Sequence, residues 1–283
     1  MPSGPDGLLL VDKPSGITSH DVVDLERRRL GTRKIGHAGT LDPMATGLLV
    51  LGVGRATRLL RYLGDLPKTY EGTGSLGQET DTLDAQGTVL RSAPVTVTRA
   101  ELEAACSTLE GASMQAPPAY SAVKVGGRKL YEAARAGEPL EAAPRPIRVE
   151  RFEITGLAPA SFEFVVTCSG GTYVRVLVAD VGTALGCGAH LSRLRRNAIG
   201  PFEASDARPP EQGELLPVEA VVRHLPRLDV QEEEALAARH GSVLAPAGVE
   251  GPYAVFAPGG RLIGVYRDDG AKARPEVVLP SDP

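Results

Sequence analysis

Asp42 stands alone among cations. Between Arg27 and Gly64 it is the sole acid beside eight basic residues (Arg27, Arg28, Arg29, Arg33, Lys34, Arg55, Arg58, Arg61) and His37. It lies in Gly36-His-Ala-Gly-Thr-Leu-Asp-Pro-Met-Ala-Thr-Gly47. Pro43 disfavours helical backbone angles at the residue before it, and the glycines permit positive φ or close backbone approach. A carboxylate held on such a loop, and kept ionised by a nearby guanidinium, is competent as a nucleophile or a base. An Asp-Pro dipeptide alone more often marks an Asx-turn; the cationic surroundings shift the reading towards chemistry. His37 is open to three roles, as proton carrier, RNA contact or satisfied loop histidine. Tyr70, in Lys68-Thr-Tyr-Glu71, and Tyr173, in Gly170-Gly-Thr-Tyr-Val-Arg175, sit in apolar contexts where core packing is the default. Arg175 lies between Val174 and Val176. Such an arginine is expected to be buried and to need an acid partner, with Asp42 and Asp180 as candidates.

Other chemistries find no support. Gly52-Val-Gly54 lacks the third glycine of a dinucleotide loop, and no phosphate-loop Gly-Lys-Ser/Thr exists. Asp81 and Asp84 have the wrong spacing for a calcium loop. The histidines His20, His37, His190, His224 and His240 show no zinc spacing. No metal and no cofactor is expected. A glycoside hydrolase would need a second acid near Asp42, where the window offers only cations. From the residues alone, a carboxylate-using enzyme and a non-catalytic RNA-binding protein both remain open.

The elements that position these residues follow from local pattern. Leu8 to Val11 reads as a buried strand. Thr18-Ser-His-Asp21 has capping-box spacing and opens a helix to about Leu30. Leu48 to Val53 is a strand, and Ala56 to Leu63 a helix with Arg55, Arg58 and Arg61 along one side. Lys68 to Leu76 and Gly87 to Arg91 flank a polar loop. A second capping box at Thr98 to Glu101 opens a helix that stops near Gly111. Gly126-Gly127 leads into a helix over 128–136. Ile147 to Thr155 and Phe162 to Cys168 pair as a hairpin around Pro159, and Thr172 to Leu185 is a buried helix. Beyond Pro226 come a helix, Glu232 to His240, and three short strands. Strands interleaved with helices without a strict βαβ rhythm favour an α+β fold.

Bulk composition narrows the setting. The chain has 283 residues, a net charge of -4 and no tryptophan, which argues against a broad stacking surface for single strands. Basic residues recur at Lys124, Arg128 and Lys129 and at Arg193, Arg195 and Arg196. After Pro226, nine acids face six basic residues. Charge distribution, more than its total, bears on a nucleic-acid partner. No apolar run suits a membrane helix, the first residues lack a signal-peptide pattern, and three scattered cysteines read as reduced thiols. The expectation is a cytoplasmic protein.

The motifs taken together resemble the TruB family of tRNA pseudouridine synthases. Val11-Asp-Lys-Pro-Ser-Gly-Ile-Thr-Ser19 is similar to its N-terminal motif, and Gly36 to Gly47 to its catalytic loop. Lys68-Thr-Tyr70, Leu76 to Asp84, Gln115 to Lys124, Cys168 to Arg175, Gly186 to His190 and Leu194-Arg-Arg196 follow in order, so the likeness spans about residues 7 to 202. It implies the pseudouridine synthase catalytic fold, with a central mixed, largely antiparallel sheet, over residues 1–225. Residues 226–283 resemble a small β-rich PUA-like module. The resemblance further implies Asp42 as nucleophile, Tyr70 stacked on the target base and Arg175 as the ion-pair partner of Asp42. Tyr173 and Leu194 would line the pocket, and His37 would fill space left by the flipped uridine. The implied substrate is the uridine at position 55 in the T loop of transfer RNA, modified by a monomer without a protein partner.

Overall fold

The computed structural model describes residues 4–280. Along the chain run β1 (Gly7–Lys13), α1 (Ser19–Leu30), β2 (Ile35–His37), β3 (Thr46–Val53), β4 (Lys68–Leu76), β5 (Gln78–Thr80) and β6 (Val89–Ser92). Next come α2 (Arg99–Ser107), β7 (Gly111–Gln115), β8 (Lys124–Val125), β9 (Arg128–Lys129), α3 (Leu130–Arg135), β10 (Arg145–Ala158), β11 (Ser161–Cys168) and α4 (Val174–Ala184). The last are β12 (Ala189–Ile199), β13 (Phe202–Glu203), β14 (Arg227–Asp229), α5 (Glu232–Arg239), β15 (Pro252–Phe256), β16 (Leu262–Asp269) and β17 (Lys272–Val278). By compactness the chain divides into two units. The first holds the residues up to Asp42, Leu48–Gly64 and those from Gly200 onward; the second holds Pro43–Gly47 and Asp65–Ile199.

In the first unit, α1 begins as the capping box predicts. Thr18 Oγ1 accepts from Asp21 N at 3.1 Å while Thr18 N donates to the Asp21 carboxylate at 2.7 Å. Gly31, at φ 62°, closes the helix. β2 and β3 pair antiparallel, His37 opposite Leu51. Val22 and Val23 of α1 pack with Leu9, Val11, Ile35, Leu49, Leu51 and Val53 into one core. β14–β17 form a separate sheet. Its own core includes Val230, Ala235, Tyr253, Val255 and Tyr266.

The helix expected over Ala56–Leu63 is instead two 3-10 turns, Gly54–Arg58 and Leu60–Leu63. Gly54, at φ 59°, turns the chain out of β3, and the following bonds close over three residues, as Leu59 N to Ala56 O. Residues three apart eclipse one another at this pitch, so Arg55 and Arg58 share a side. They do not simply face solvent. Arg55 pairs with Asp6 and donates to Pro280 O at 2.6 Å, and Arg58 donates to Val278 O. Tyr62 Oη donates to the Glu276 carboxylate at 2.9 Å. Part of the basic window thus fastens the C-terminal strand.

The second unit is built on strands ordered β12-β4-β11-β10-β7, each pair antiparallel. Thr46 and Gly47, the first residues of β3, pair parallel with Arg195 and Arg196 of β12. The sheet is therefore mixed and largely antiparallel, and the fold is α+β. The expected hairpin around Pro159 is the β10–β11 pair. α4 packs on β12 and α2 on β10. β12 is absent from the sequence expectations. Bulges between Leu191 and Arg193 and between Arg196 and Ala198 break its alternation, so its charged residues do not fall on every second position. The helix expected over 128–136 is shortened to α3, preceded by the tight β8–β9 hairpin across Gly126-Gly127.

Candidate active site

The loop bearing Asp42 is constrained before and after it. Ala38 N donates to Val50 O at 2.9 Å, continuing the β2–β3 ladder one step past His37. Gly39, at φ 98°, then turns the chain away, a backbone state that other residues adopt only with strain. Leu41 is buried, and both its backbone groups meet one side chain. Leu41 N donates to Ser19 Oγ at 2.9 Å, and Ser19 Oγ donates to Leu41 O at 3.1 Å. Asp42 follows, half-buried, and Pro43-Met44 makes a turn. Further on, Thr46 Oγ1 donates to Leu194 O at 3.4 Å. Gly47 has φ 97°, and a Cβ there would lie 2.3 Å from Arg196 O. Only glycine fits. His37 is half-buried at the end of β2.

The other expected residues lie in the second unit. Tyr70 is buried in β4, between Val166 of β11 and Arg196 of β12 in the strand register. Leu194 is buried on β12 opposite Gly72. Tyr173 is half-buried just before α4, with the guanidinium of Arg145 4.9 Å and that of Arg175 5.6 Å from its ring centre. These distances suit cation–π attraction.

The start of α4 is held by Gln115. Its Oε1 accepts from Tyr173 N at 2.8 Å and its Nε2 donates to Tyr173 O at 3.2 Å. Gln115 is 4 % exposed, so water is a poor substitute. Gln115→Glu replaces the donor by an oxygen facing a carbonyl. It is expected to cost about 2 kcal/mol in urea unfolding near neutral pH. Because a protonated carboxyl can donate again, the deficit shrinks as pH falls; a pH-independent deficit would point to a different contact.

Arg175 is interior, as expected, and the structure adds an acid partner. Its Nη1 lies 3.6 Å from Asp84 Oδ2, both side chains being 5 % exposed, and its Nη2 donates to Tyr120 O at 2.8 Å. Asp180 is on the exposed side of α4, five residues and hence about 140° around the helix from Arg175, so that candidate is corrected. Asp84 closes the polar loop after β4. Its Oδ1 accepts from Thr82 Oγ1 at 2.6 Å and from Gln86 N at 3.0 Å. Leu191 N donates to Leu83 O, and Ala85 N to Leu191 O, fixing the loop to β12. Leu83 itself is left-handed at φ 63°, a strain of order 1 kcal/mol. The signal for Asp84 is present in the sequence: a buried arginine demands an acid, and Thr-Leu-Asp84 places one beside an apolar residue. Spacing alone tests it only as a calcium ligand.

Two further cations of the second unit are interior. Arg196 is 1 % exposed on β12, so this member of the basic run is not a surface charge. Lys68, buried at the start of β4, donates to Leu66 O at 2.7 Å. Burial, and secondarily the charge of Arg196, lower its pKa from 10.5 to about 8. Between these values the unfolded chain binds more protons than the folded one, so Lys68 makes stability rise with pH there. The stability of wild type relative to Lys68→Met is therefore expected to increase from about pH 8 to 10.5, measured by urea unfolding across that range. A flat difference would mean that Lys68 titrates as in water.

Among the described residues no group of three or more His, Cys, Asp and Glu could hold a metal ion. None of the helices there is long and apolar enough to cross a membrane.

The model of the TruB family pseudouridylate synthase N-terminal domain matches residues 27–174. The chain belongs to the TruB family. Two further models match parts of the chain beyond it, the tRNA pseudouridylate synthase B C-terminal domain over residues 175–209 and the tRNA pseudouridine synthase II C-terminal domain over residues 225–280. The tRNA pseudouridine synthase B of Mycolicibacterium paratuberculosis is 46 % identical over 286 residues, covering 97 % of this chain and 98 % of that one. Its counterpart from Mycobacterium sp. (strain KMS) is 45 % identical over 285 residues, covering 96 % of each. Among solved structures, a chain of a Cbf5-Nop10-Gar1 complex superposes with TM-score 0.75 at 26 % identity, over 97 % of this TruB-family chain and 85 % of its own. A chain of the archaeal box H/ACA sRNP Nop10-Cbf5 complex gives 0.73 at 25 % identity, over 98 % and 87 %.

Proposed function

We propose that this chain isomerises uridine to pseudouridine at position 55 in the T loop of transfer RNA, with Asp42 as the nucleophile. One observation carries the reading: the lone carboxylate of the basic window follows a backbone residue clamped by Ser19 and precedes a proline turn. That is the setting of a held reactive group. Membership of the TruB family and near full-length likeness to proteins named tRNA pseudouridine synthase B favour catalysis over RNA binding alone.

The product has the atoms of the substrate, so neither oxidant nor energy source is required. The glycosidic carbon–nitrogen bond breaks, the uracil rotates, C5 joins the sugar and loses its proton, and N1 regains one. Attack by Asp42 on sugar or base, or removal of a sugar proton, each starts this sequence. Arg175 is the proposed ion-pair partner that keeps Asp42 charged. Tyr70 stacks on the extruded uracil and its hydroxyl assists proton transfer. Tyr173 and Leu194 line the pocket, and His37 occupies the RNA loop after the base leaves. Extrusion costs a few kcal/mol, which phosphate contacts and stacking offset.

The protein acts as a cytoplasmic monomer in this reading. Residues 226–283 form the PUA-like module, supported by the separate sheet and core of β14–β17. The test is mapping pseudouridine in a T-arm transcript incubated with the purified protein. Conversion at position 55 is expected. An unmodified transcript that the protein nonetheless binds would leave the RNA-binding alternative.

A further inference from the structure

We propose that Ser19 is a positioning residue for Asp42, an inference that rests on the nucleophile assignment above. A serine hydroxyl has one proton to donate and lone pairs to accept. Here it uses both functions on the same residue. It accepts from Leu41 N at 2.9 Å and donates to Leu41 O at 3.1 Å, across 22 residues of chain. Two bonds to one peptide residue fix its location and its rotation about the chain, which one bond would not.

Ser19 is itself anchored by its place in the fold. It is the first residue of α1, next to the N-cap Thr18, whose backbone N–H and hydroxyl both engage Asp21. The capping box occupies the exposed side of the helix start, whereas Ser19 is 2 % exposed and turned inward. Water therefore does not replace the hydroxyl, and buried backbone groups left without it would be costly. The Leu41 side chain is buried as well. Asp42 begins 3.8 Å further along the chain, and the next residue is a proline with φ fixed near −65°. The carboxylate thus hangs from a segment fixed on one side by Ser19 and on the other by a ring. Through Ser19, the N-terminal motif holds the catalytic loop in place.

The informative pair is Ser19→Thr and Ser19→Val, equal in volume and differing by the hydroxyl. Each is measured for single-turnover rate on a T-arm transcript, for the dissociation constant of that transcript, and for urea midpoint, with Asp42→Asn in parallel. Misplacing a reacting group by about 1 Å costs on the order of 100-fold in rate. The Val variant is expected to be slower than the Thr variant by about that factor, at a dissociation constant within about threefold of wild type. Equal rates for the two variants would overturn the proposal, as would a loss in the Val variant that appears wholly in RNA affinity. If neither folds, Ser19→Ala, which adds no volume, carries the same expectation, and a wild-type rate there overturns it. An active Asp42→Asn would instead remove the nucleophile assignment. A silent Asp42→Asn beside a fully active Ser19→Val removes only the role of Ser19.

Discussion

Asp42→Asn is expected to bind T-arm RNA as wild type does and to lose turnover by on the order of 10⁴-fold or more, the scale seen when a nucleophile is removed. The substitution keeps the side-chain shape and leaves the Leu41 clamp untouched, because Ser19 bonds only backbone there. It removes the charge and with it the capacity to attack or to take a proton. The measurements are the single-turnover rate and the RNA dissociation constant of rigorously purified protein. Turnover beyond trace levels ends the assignment of Asp42. Lost activity together with lost binding would instead mean that the carboxylate organises the RNA surface rather than the chemistry.

Asp84→Asn is expected to lower stability by about 3 kcal/mol, since removing one member of a buried ion pair leaves the other charge uncompensated by it. The 3.6 Å separation and the nearly complete burial of both side chains set the scale. Asparagine can still accept from Thr82 Oγ1 and Gln86 N, so the loop keeps its shape. What changes is that an amide N–H₂ now competes to face the Arg175 guanidinium. If Arg175 acts in the reaction, its displacement is expected to slow single turnover by about 100-fold, with RNA affinity much less affected. Urea unfolding and the single-turnover rate check the two effects separately. A variant with wild-type midpoint would show that the Asp84 charge is dispensable to the fold. A destabilised variant of undiminished rate would show that Asp84 serves the fold alone.

What the sequence made legible was local. Thr18 and Asp21, and likewise Thr98 and Glu101, announce their helices because a capping box is closed by residues three apart. The β10–β11 hairpin is legible because two alternating runs meet at Pro159. What escaped depended on distant partners. β12 was hidden by two bulges, and nothing near Arg196 in the sequence reveals that its strand lies inside the sheet, between β3 and β4. The acid beside Arg175 lies 91 residues earlier in the chain, on a loop docked to a strand that had not been foreseen. Arg55 and Arg58 read as a basic stripe because their partners lie far away in the chain, Asp6 and Pro280 O for Arg55 and Val278 O for Arg58. Of the candidate site, the resemblance named the residues. The roles of Gln115 and Ser19, whose hydrogen bonds go to backbone, emerged only from the folded structure.

The pairing of β1 has a consequence for biosynthesis. Leu8 exchanges backbone hydrogen bonds with Leu216, and Leu10 and Asp12 bond the backbone of Arg208. At a translation rate of roughly 5–20 residues per second, the intervening ~200 residues take about 10–40 s to appear. Residues 65–199, which make up nearly all of the second unit, leave the ribosome before those partners do. The inserted unit can therefore finish folding while the earlier strand β1 still waits with one edge uncovered, the state in which strands recruit foreign chains. A segment made before the second unit is completed after it, and the vulnerable interval of β1 is set by chain order rather than by stability.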